Sequence, residues 1–329
     1  MRRVLLILLL LIIMGVGGAG FWLYRQFDAP GPLVAAKAVV VPRGGFGELG
    51  EALQQQGVID SALLFRAAAL ATLREGPLHA AELSFPAGAS LRQVLVVLRT
   101  GRAIQHHLTI PEGLTAAQIA RLVDAADGLS GDTPVPAEGT ILPETYSYER
   151  GTSREQLMDR ARTAMDRALQ KDWDSRAPGL PLLNKAEALV LASMVERETA
   201  KPEERPIIAA VFLNRLRQGM KLQSDPTVVY GASGGLGVLD HPITRSELDH
   251  PDPYNTYRIP GLPPGPICVP GQAALRAAMQ PAASDALFFV ADGTGGHVFA
   301  RTQEDHLRNV AHWRDIERAR AMPPAPVQQ

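Results

Sequence analysis

LVLASMVERETA, residues 189–200, opens as an apolar run and closes carrying Glu196, Arg197 and Glu198. Its composition predicts a helix, and what that helix does with its two glutamates decides how the rest is read. Two residues apart is about 200° around a helix axis, so Glu196 and Glu198 cannot share a face. Glu198 stands below Val195, Met194 and Leu191, at i−3, i−4 and i−7. Glu196 follows Ser193, Ala192 and Leu189, a less apolar stripe. Glu198 is therefore the better placed for half-burial, which disfavours ionisation and moves a carboxyl toward the range a general acid needs. Spacing alone leaves the other reading open: a helix-end glutamate, solvated or paired with Arg197, Lys201 or Arg205.

Outward from this stretch, Lys201-Pro202 ends the first helix, and a second runs from about Glu203 to Gln218, closed by Gly219. Residues 221–271 are dense in Gly, Pro, Asp, Tyr and Asn, and a long irregular stretch of this kind is usually functional. SDALFFVADGTGGHVFA (284–300) reads as a β-hairpin over GTGG, followed by a helix over 304–320 and a Pro/Gln tail, 321–329, expected to be disordered. Upstream, VVVPRGGFGELGEALQQQGVI, AELSFPAGASLRQVLVVLRTGRAI and HHLTIPEGLTAAQIARLVDAADG repeat one scheme: strand, Gly/Pro turn, apolar-periodic helix. They form one α+β region over 37–130. DTPVPAEGTILPETYSYERGT (132–152) is a Pro/Gly-rich crossing segment, and the charged helix after it, SREQLMDRARTAMDRALQKDWDSRA, has a solvated face. The second region, 131–320, is mixed α+β.

At 329 residues, with 46% hydrophobic content and a net charge of −1, the chain has the totals of an ordinary globular protein. With no basic excess, nucleic acid is not an expected partner. A lone cysteine, Cys268, excludes an internal disulfide framework and a multi-cysteine zinc site, and reads as a buried bystander thiol. The N-terminus departs from the globular pattern. Met1-Arg2-Arg3 precedes VLLILLLLIIMGVGGAGFWLY (4–24), which carries no charge until Arg25. That length suffices to span a bilayer, and the arginine flank favours a cytoplasmic N-terminus, residues 1–3. Small residues in GVGGAG allow a cleaved signal peptide as the competing reading; the length of the run and Trp22 and Tyr24 beyond it favour an uncleaved anchor. A Pro/Gly/Ala linker, 25–36, follows, and everything past about residue 28 is expected outside the cytoplasm. No phosphate-loop pattern is present.

Three long motifs resemble one family. MVERETAKPEERPIIAAVFLNRLRQGMKLQSDPTVVYG (194–231), YNTYRIPGLPPGPICVPG (254–271) and FFVADGTGGHVFA (288–300) stand in the order found in the YceG-like family of endolytic murein transglycosylases. The resemblance covers nearly the whole chain. It implies a membrane anchor, a LysM-like region over 37–130 and a catalytic domain over 131–320. It also implies a lyase that cuts peptidoglycan between N-acetylmuramic acid and N-acetylglucosamine, leaving 1,6-anhydro ends. Glu198-Thr199 matches the family's pairing of a catalytic glutamate with a small hydroxyl residue, whereas Glu196 is followed by Arg197. One carboxyl would protonate the leaving oxygen and then accept the proton of the muramyl C6 hydroxyl, with no cofactor and no metal. Asn214, Arg215, Gln223, Ser224, Asp225, Thr227, Tyr230, Tyr254, Asn255 and Tyr257 are the implied groove residues, since amides suit sugar acetamides and Tyr faces suit pyranose rings. Peptidoglycan synthases (penicillin-binding proteins) are implied neighbours on the periplasmic side of the inner membrane. AELSFPAG departs from the family's more usual Gly-Tyr-rich strand entry.

The sequence also admits rival readings. A non-catalytic glycan-binding scaffold would use the LysM-like region alone. GASGG (231–235) fits G-x-S-x-G, but a nucleophile elbow needs a helix straight after Ser233, and GGLGVLDHPI is a poor helix start. Asp240, His241, Asp249, His250 and Asp252 suggest a metal site, yet their prolines suit a surface loop. His297 fits either a family role or a satisfied hairpin histidine.

Overall fold

The computed structural model describes residues 14–321 except 16, 19 and 23, and divides into two compact units. Residues 4–13 of the expected anchor and 322–329 of the expected tail lie outside the described residues. Among the described residues no helix is long and apolar enough to cross a membrane.

The first unit comprises residues 1–106 and 147–151. Its sheet pairs β1 (Lys37–Val40) with β2 (Glu82–Phe85), antiparallel, with Val39 opposite Leu83. Alternation turns Val39, Leu83 and Phe85 into the core, where they meet Leu49 and Leu53 of α1 (Phe46–Gln55) and Phe65 of α2 (Ala62–Ala71). Val94, Leu95 and Leu98 of α3 (Leu91–Thr100) complete that core. Ser90 starts α3 by accepting from the Gln93 N–H while the Gln93 side chain accepts from the Ser90 N–H, a capping box. At the other end Arg99 returns to Thr72 and Glu75, fixing the turn after α2. β3 (Gln105–Thr109) and β4 (Thr145–Glu149) make a second two-stranded sheet.

The second unit comprises residues 107–146 and 152–329. It contains α4 (Ala116–Asp124) and α5 (Arg154–Asp174), and its centre is α6 (Lys185–Glu198). Residues 188–195 of α6 are all buried, so the helix is surrounded rather than amphipathic. It packs against α5, α7 (Arg205–Arg217) and α10 (Gln272–Met279), with Leu191, Met194, Val195, Phe212 and Leu275 in one cluster. Asn184 caps α6 by accepting from the Glu187 N–H. Thr199 turns to extended backbone, φ −143° and ψ 140°, and Lys201 stays extended before Pro202, as a residue preceding proline prefers. The chain restarts as α7 with Pro206 in its first turn and stops at Gly219, whose φ of 64° favours glycine. Two short helices, α8 (Asp225–Ala232) and α9 (Arg245–Asp249), interrupt the stretch expected to be irregular. The expected hairpin is present as β5 (Phe288–Ala291) and β6 (His297–Ala300), followed by α11 (Gln303–Ala321). The whole is mixed α+β, with many helices and small sheets.

Candidate active site

Glu198 is the last residue of α6, half-buried where the helix leaves the core. Its Oε2 accepts a hydrogen bond from Ser224 Oγ at 2.9 Å. Burial pushes its carboxyl up to about 7, the Ser224 bond and the charge of Arg215 pull the other way, and the nearby Asp225 charge adds to the rise. Desolvation wins because the single hydroxyl returns only part of the hydration an ionised carboxylate loses.

Ser224 is held from three directions. Its N–H donates to Thr256 Oγ1 at 2.9 Å, its carbonyl accepts from Thr227 Oγ1 at 2.7 Å, and the two threonine hydroxyls meet at 2.9 Å. Thr227 and Thr256 are fully buried. Gln223, just before, has φ 53°, the only non-glycine in the left-handed region among the described residues. That conformation costs about 1–3 kcal/mol and persists where surroundings impose it; here the Gln223 N–H donates to the Thr256 carbonyl at 3.2 Å. Arg215 is buried, with Nε donating to Leu287 O at 2.6 Å and NH1 to Leu222 O at 2.8 Å. It braces the backbone leading to Ser224 and supplies positive potential toward Glu198. Tyr257 donates to Asp225 Oδ1 at 2.6 Å, and burial followed by that bond raises its phenol.

The structure thus gathers Arg215, Gln223, Ser224, Asp225 and Tyr257 around Glu198. Tyr230 and Tyr254 form a separate pair, ring centroids 4.8 Å apart, and Tyr230 donates to Glu138 Oε2 at 3.1 Å. Other predicted residues are committed within the fold. Asn214 Nδ2 donates to the carbonyls of Ser284 and Ala286, and buried Asn255 Nδ2 to those of Glu247, Leu248 and His250.

Glu196 points elsewhere. Its Oε1 accepts from Arg205 at 2.8 Å and its Oε2 from the Gly271 N–H at 2.9 Å, with 5% of its side chain exposed. It is a buried ion pair tying α6 to α7 and to the start of α10. Two acidic residues were not singled out from sequence. Glu138 accepts from the Ala116 N–H at 2.9 Å and from Tyr230, and burial raises its carboxyl. Glu204 accepts from Thr199 Oγ1 at 3.0 Å and meets His297 Nδ1 at 2.7 Å. Burial would raise Glu204, but the His297 and Thr199 hydrogen bonds outweigh it and lower the carboxyl. His297 thereby secures the residue that follows Glu198. A signal for Glu204 existed in the family-like motif containing it; Glu138 sits in a Pro/Gly-rich segment that offered none.

Ser233 lies at the C-terminal end of α8, not before a helix, and its hydroxyl accepts from the Gly237 N–H at 2.9 Å. Among the described residues no three His, Cys, Asp or Glu side chains converge as metal ligands. His250 and Asp252 instead help line a cleft of about 340 Å³ with Ser246 and Glu247. Cys268 is fully buried, and burial raises its thiol well above the usual range.

A family model described as the YceG-like family matches residues 39–312. The chain belongs to that family. Two Streptococcus pneumoniae proteins named endolytic murein transglycosylase are each 32% identical over 322 residues, covering 83% of this chain and 57% of the relative. A Bacillus subtilis protein of the same name is 35% identical over 175 residues, covering 52% of this chain and 46% of its own length. The chain therefore spans little more than half the length of its pneumococcal relatives, 57%. A crystal structure of a yceG-like protein from Listeria monocytogenes aligns with TM-score 0.51 and 28% identity, over 83% of this chain and 98% of that one. The YceG-like match includes α6, α7, α8 and the hairpin, so every residue around Glu198 falls within it.

Proposed function

We propose that this chain is an endolytic murein transglycosylase, cleaving the bond between N-acetylmuramic acid and N-acetylglucosamine within peptidoglycan glycan strands. The observation that carries the reading is Glu198, a carboxyl poised near 7 with a serine hydroxyl on one oxygen. A group that is half protonated near neutrality can give a proton and take one back with little penalty in either direction. Protonated Glu198 donates to the glycosidic oxygen as its bond to the anomeric carbon breaks. The carboxylate left behind accepts the hydrogen bond of Ser224 and the field of Arg215. It then removes the proton from the muramyl C6 hydroxyl, whose oxygen bonds to the anomeric carbon and closes the 1,6-anhydro ring. Glu198 ends protonated, as it began. The attacking hydroxyl is internal, so the second carboxylate that activates water in ordinary glycosidases is not needed.

Gln223, Asp225, Tyr230, Tyr254 and Tyr257 would line the glycan groove. Asn214, Arg215, Thr227 and Asn255 would hold its walls, since their polar groups already secure local backbone. The region 37–130 would act as a LysM-like glycan-holding part. The stretch 4–24 would be an uncleaved inner-membrane anchor with a cytoplasmic N-terminus, leaving the rest periplasmic beside penicillin-binding proteins. Purified protein incubated with isolated glycan strands tests this: shorter strands with 1,6-anhydro muramyl ends are expected from wild type and not from Glu198→Gln. Intact strands with wild type would favour the scaffold reading instead.

A further inference from the structure

Residue 24 ends the apolar stretch, and the chain just beyond it is fastened to the first unit. Asp28 and Arg92 form a two-pronged pair, Nε to Oδ1 at 2.6 Å and NH2 to Oδ2 at 3.2 Å. The same guanidinium lies 4.5 Å from the centre of the Phe27 ring. An exposed ion pair alone holds little, but backbone bonds add to it: Gly31 N–H to Gly88 O at 3.2 Å and Gly88 N–H to Leu33 O at 2.7 Å. From Tyr24 to Phe27 is three residues, at most about 10 Å of chain. There is little slack between the apolar stretch and the unit.

At this junction lies a cavity of about 310 Å³ with an apolar lining. Tyr24 and Phe27 form one part of its wall, and Leu64, Ala67 and Ala68 of α2 another. The sequence of α2, ALLFRAAALA, has a single charge, Arg66. Phe65 and Ala69 face the core, while Leu63 is 79% exposed, Leu70 50%, and Leu73 in the following turn 53%. Arg66 and Arg74 are exposed on the same segment, and its acidic residue, Glu75, is already paired with Arg99 at 3.0 Å. A helix with one face in the core and the other made of leucine and alanine, with Arg66 between Leu63 and Leu70 and Arg74 beyond the end, has the pattern of a bilayer-interface helix whose long cationic side chains reach up to the headgroups.

We infer that this face of the first unit lies in the membrane–water interface, with Leu63, Leu70 and Leu73 among the acyl chains and Arg66 and Arg74 against anionic headgroups. The inference rests on reading 4–24 as an uncleaved anchor. The bilayer is the occupant because Tyr24 both ends the apolar stretch and walls the cavity beside α2. A ten-residue helix is about 15 Å long, so every exposed leucine on it falls within about that distance of a residue at the bilayer boundary. Arginines matched to the negative surface of a phosphatidylglycerol-containing leaflet complete the complementarity.

The test uses the full chain reconstituted in phosphatidylglycerol-containing vesicles. Cys268 is fully buried, so a polarity-sensitive thiol label reports a single introduced cysteine, Leu70→Cys or, as a control in the second unit, Leu183→Cys, where the native leucine is 86% exposed. The label at 70 is expected to shift to shorter wavelength and to lose most of its emission to a nitroxide-bearing lipid, while the label at 183 does neither. Vesicles carrying the protein in which both labels report water would overturn the interface proposal and leave the anchor reading standing. Protein that fails to float with vesicles would overturn the anchor reading, and this proposal with it. Protection of residue 70 in detergent-free protein without lipid would assign the face to a second protein copy and also overturn the proposal.

Discussion

Glu198→Gln separates what burial does to this carboxyl from what the carboxyl does in a reaction. In the native protein the group holds its proton to about pH 7, against an ordinary value of 4.5. At about 1.4 kcal/mol per pH unit, that difference amounts to about 3 kcal/mol. Between those two pH values the native state keeps a proton that the unfolded chain has released. Stability therefore falls as pH rises through the window, and the loss is complete above about pH 7. Below about pH 4.5 both states are protonated and the term vanishes. Glutamine has the same shape and still accepts the Ser224 bond, but has no charge to desolvate; fitting its extra N–H donors offsets about 1 kcal/mol. The variant should thus be about 2–3 kcal/mol more stable than wild type at about pH 8 and no more stable at about pH 4.5. Urea unfolding of both proteins at both pH values measures this, because titrating groups away from Glu198 cancel in the difference. Glycan-cleaving activity should meanwhile drop by about 10²–10⁴-fold, the usual effect of removing a general acid–base. A stability difference that does not change with pH would refute the desolvation reasoning, and full activity would refute the assignment of Glu198.

Activity should also follow the proton: kcat/KM on glycan strands is expected to decline about tenfold per pH unit above about 7, because the donating form is the protonated one. Glu196→Ala should destabilise the fold by about 1–3 kcal/mol, since it removes the acceptor of the Gly271 N–H and one of the two carboxylates on buried Arg205, which keeps Glu112 at 3.3 Å, while activity per folded molecule, measured at low temperature, stays near wild type. Glu138→Gln weakens the acceptor of the Tyr230 phenol and should raise KM for glycan strands with little change in kcat, read from initial rates.

Where a residue's role was set by its near neighbours in sequence, it could be read there. Lys201-Pro202 separates α6 from α7, Ser90, Thr115 and Ser153 cap their helices with a glutamine three residues on, and GTGG turns the hairpin. The opposed directions of Glu196 and Glu198 follow from helix geometry alone. Asp225-Pro226 opens α8, because a proline in the first helical turn lacks only an N–H that would go unpaired there. α10, QAALRAAM, is built of strong helix formers, but it follows Pro270 and Gly271 at the end of a stretch whose proline and glycine content reads as loop. The burial of residues 188–195 on every side has no periodic signature. Glu138 meets Tyr230 across 92 residues and Glu204 meets His297 across 93, and no local spacing reports contacts at that range.

The central claim is that Glu198 moves a proton between two oxygens of the glycan and that no water attacks. Digesting glycan strands in water enriched in heavy oxygen, followed by mass spectrometry of the new muramyl ends, tests it most directly. The account predicts ends that have lost the elements of water relative to a reducing sugar and that carry no heavy oxygen. Reducing ends labelled with heavy oxygen would mean hydrolysis and would contradict it.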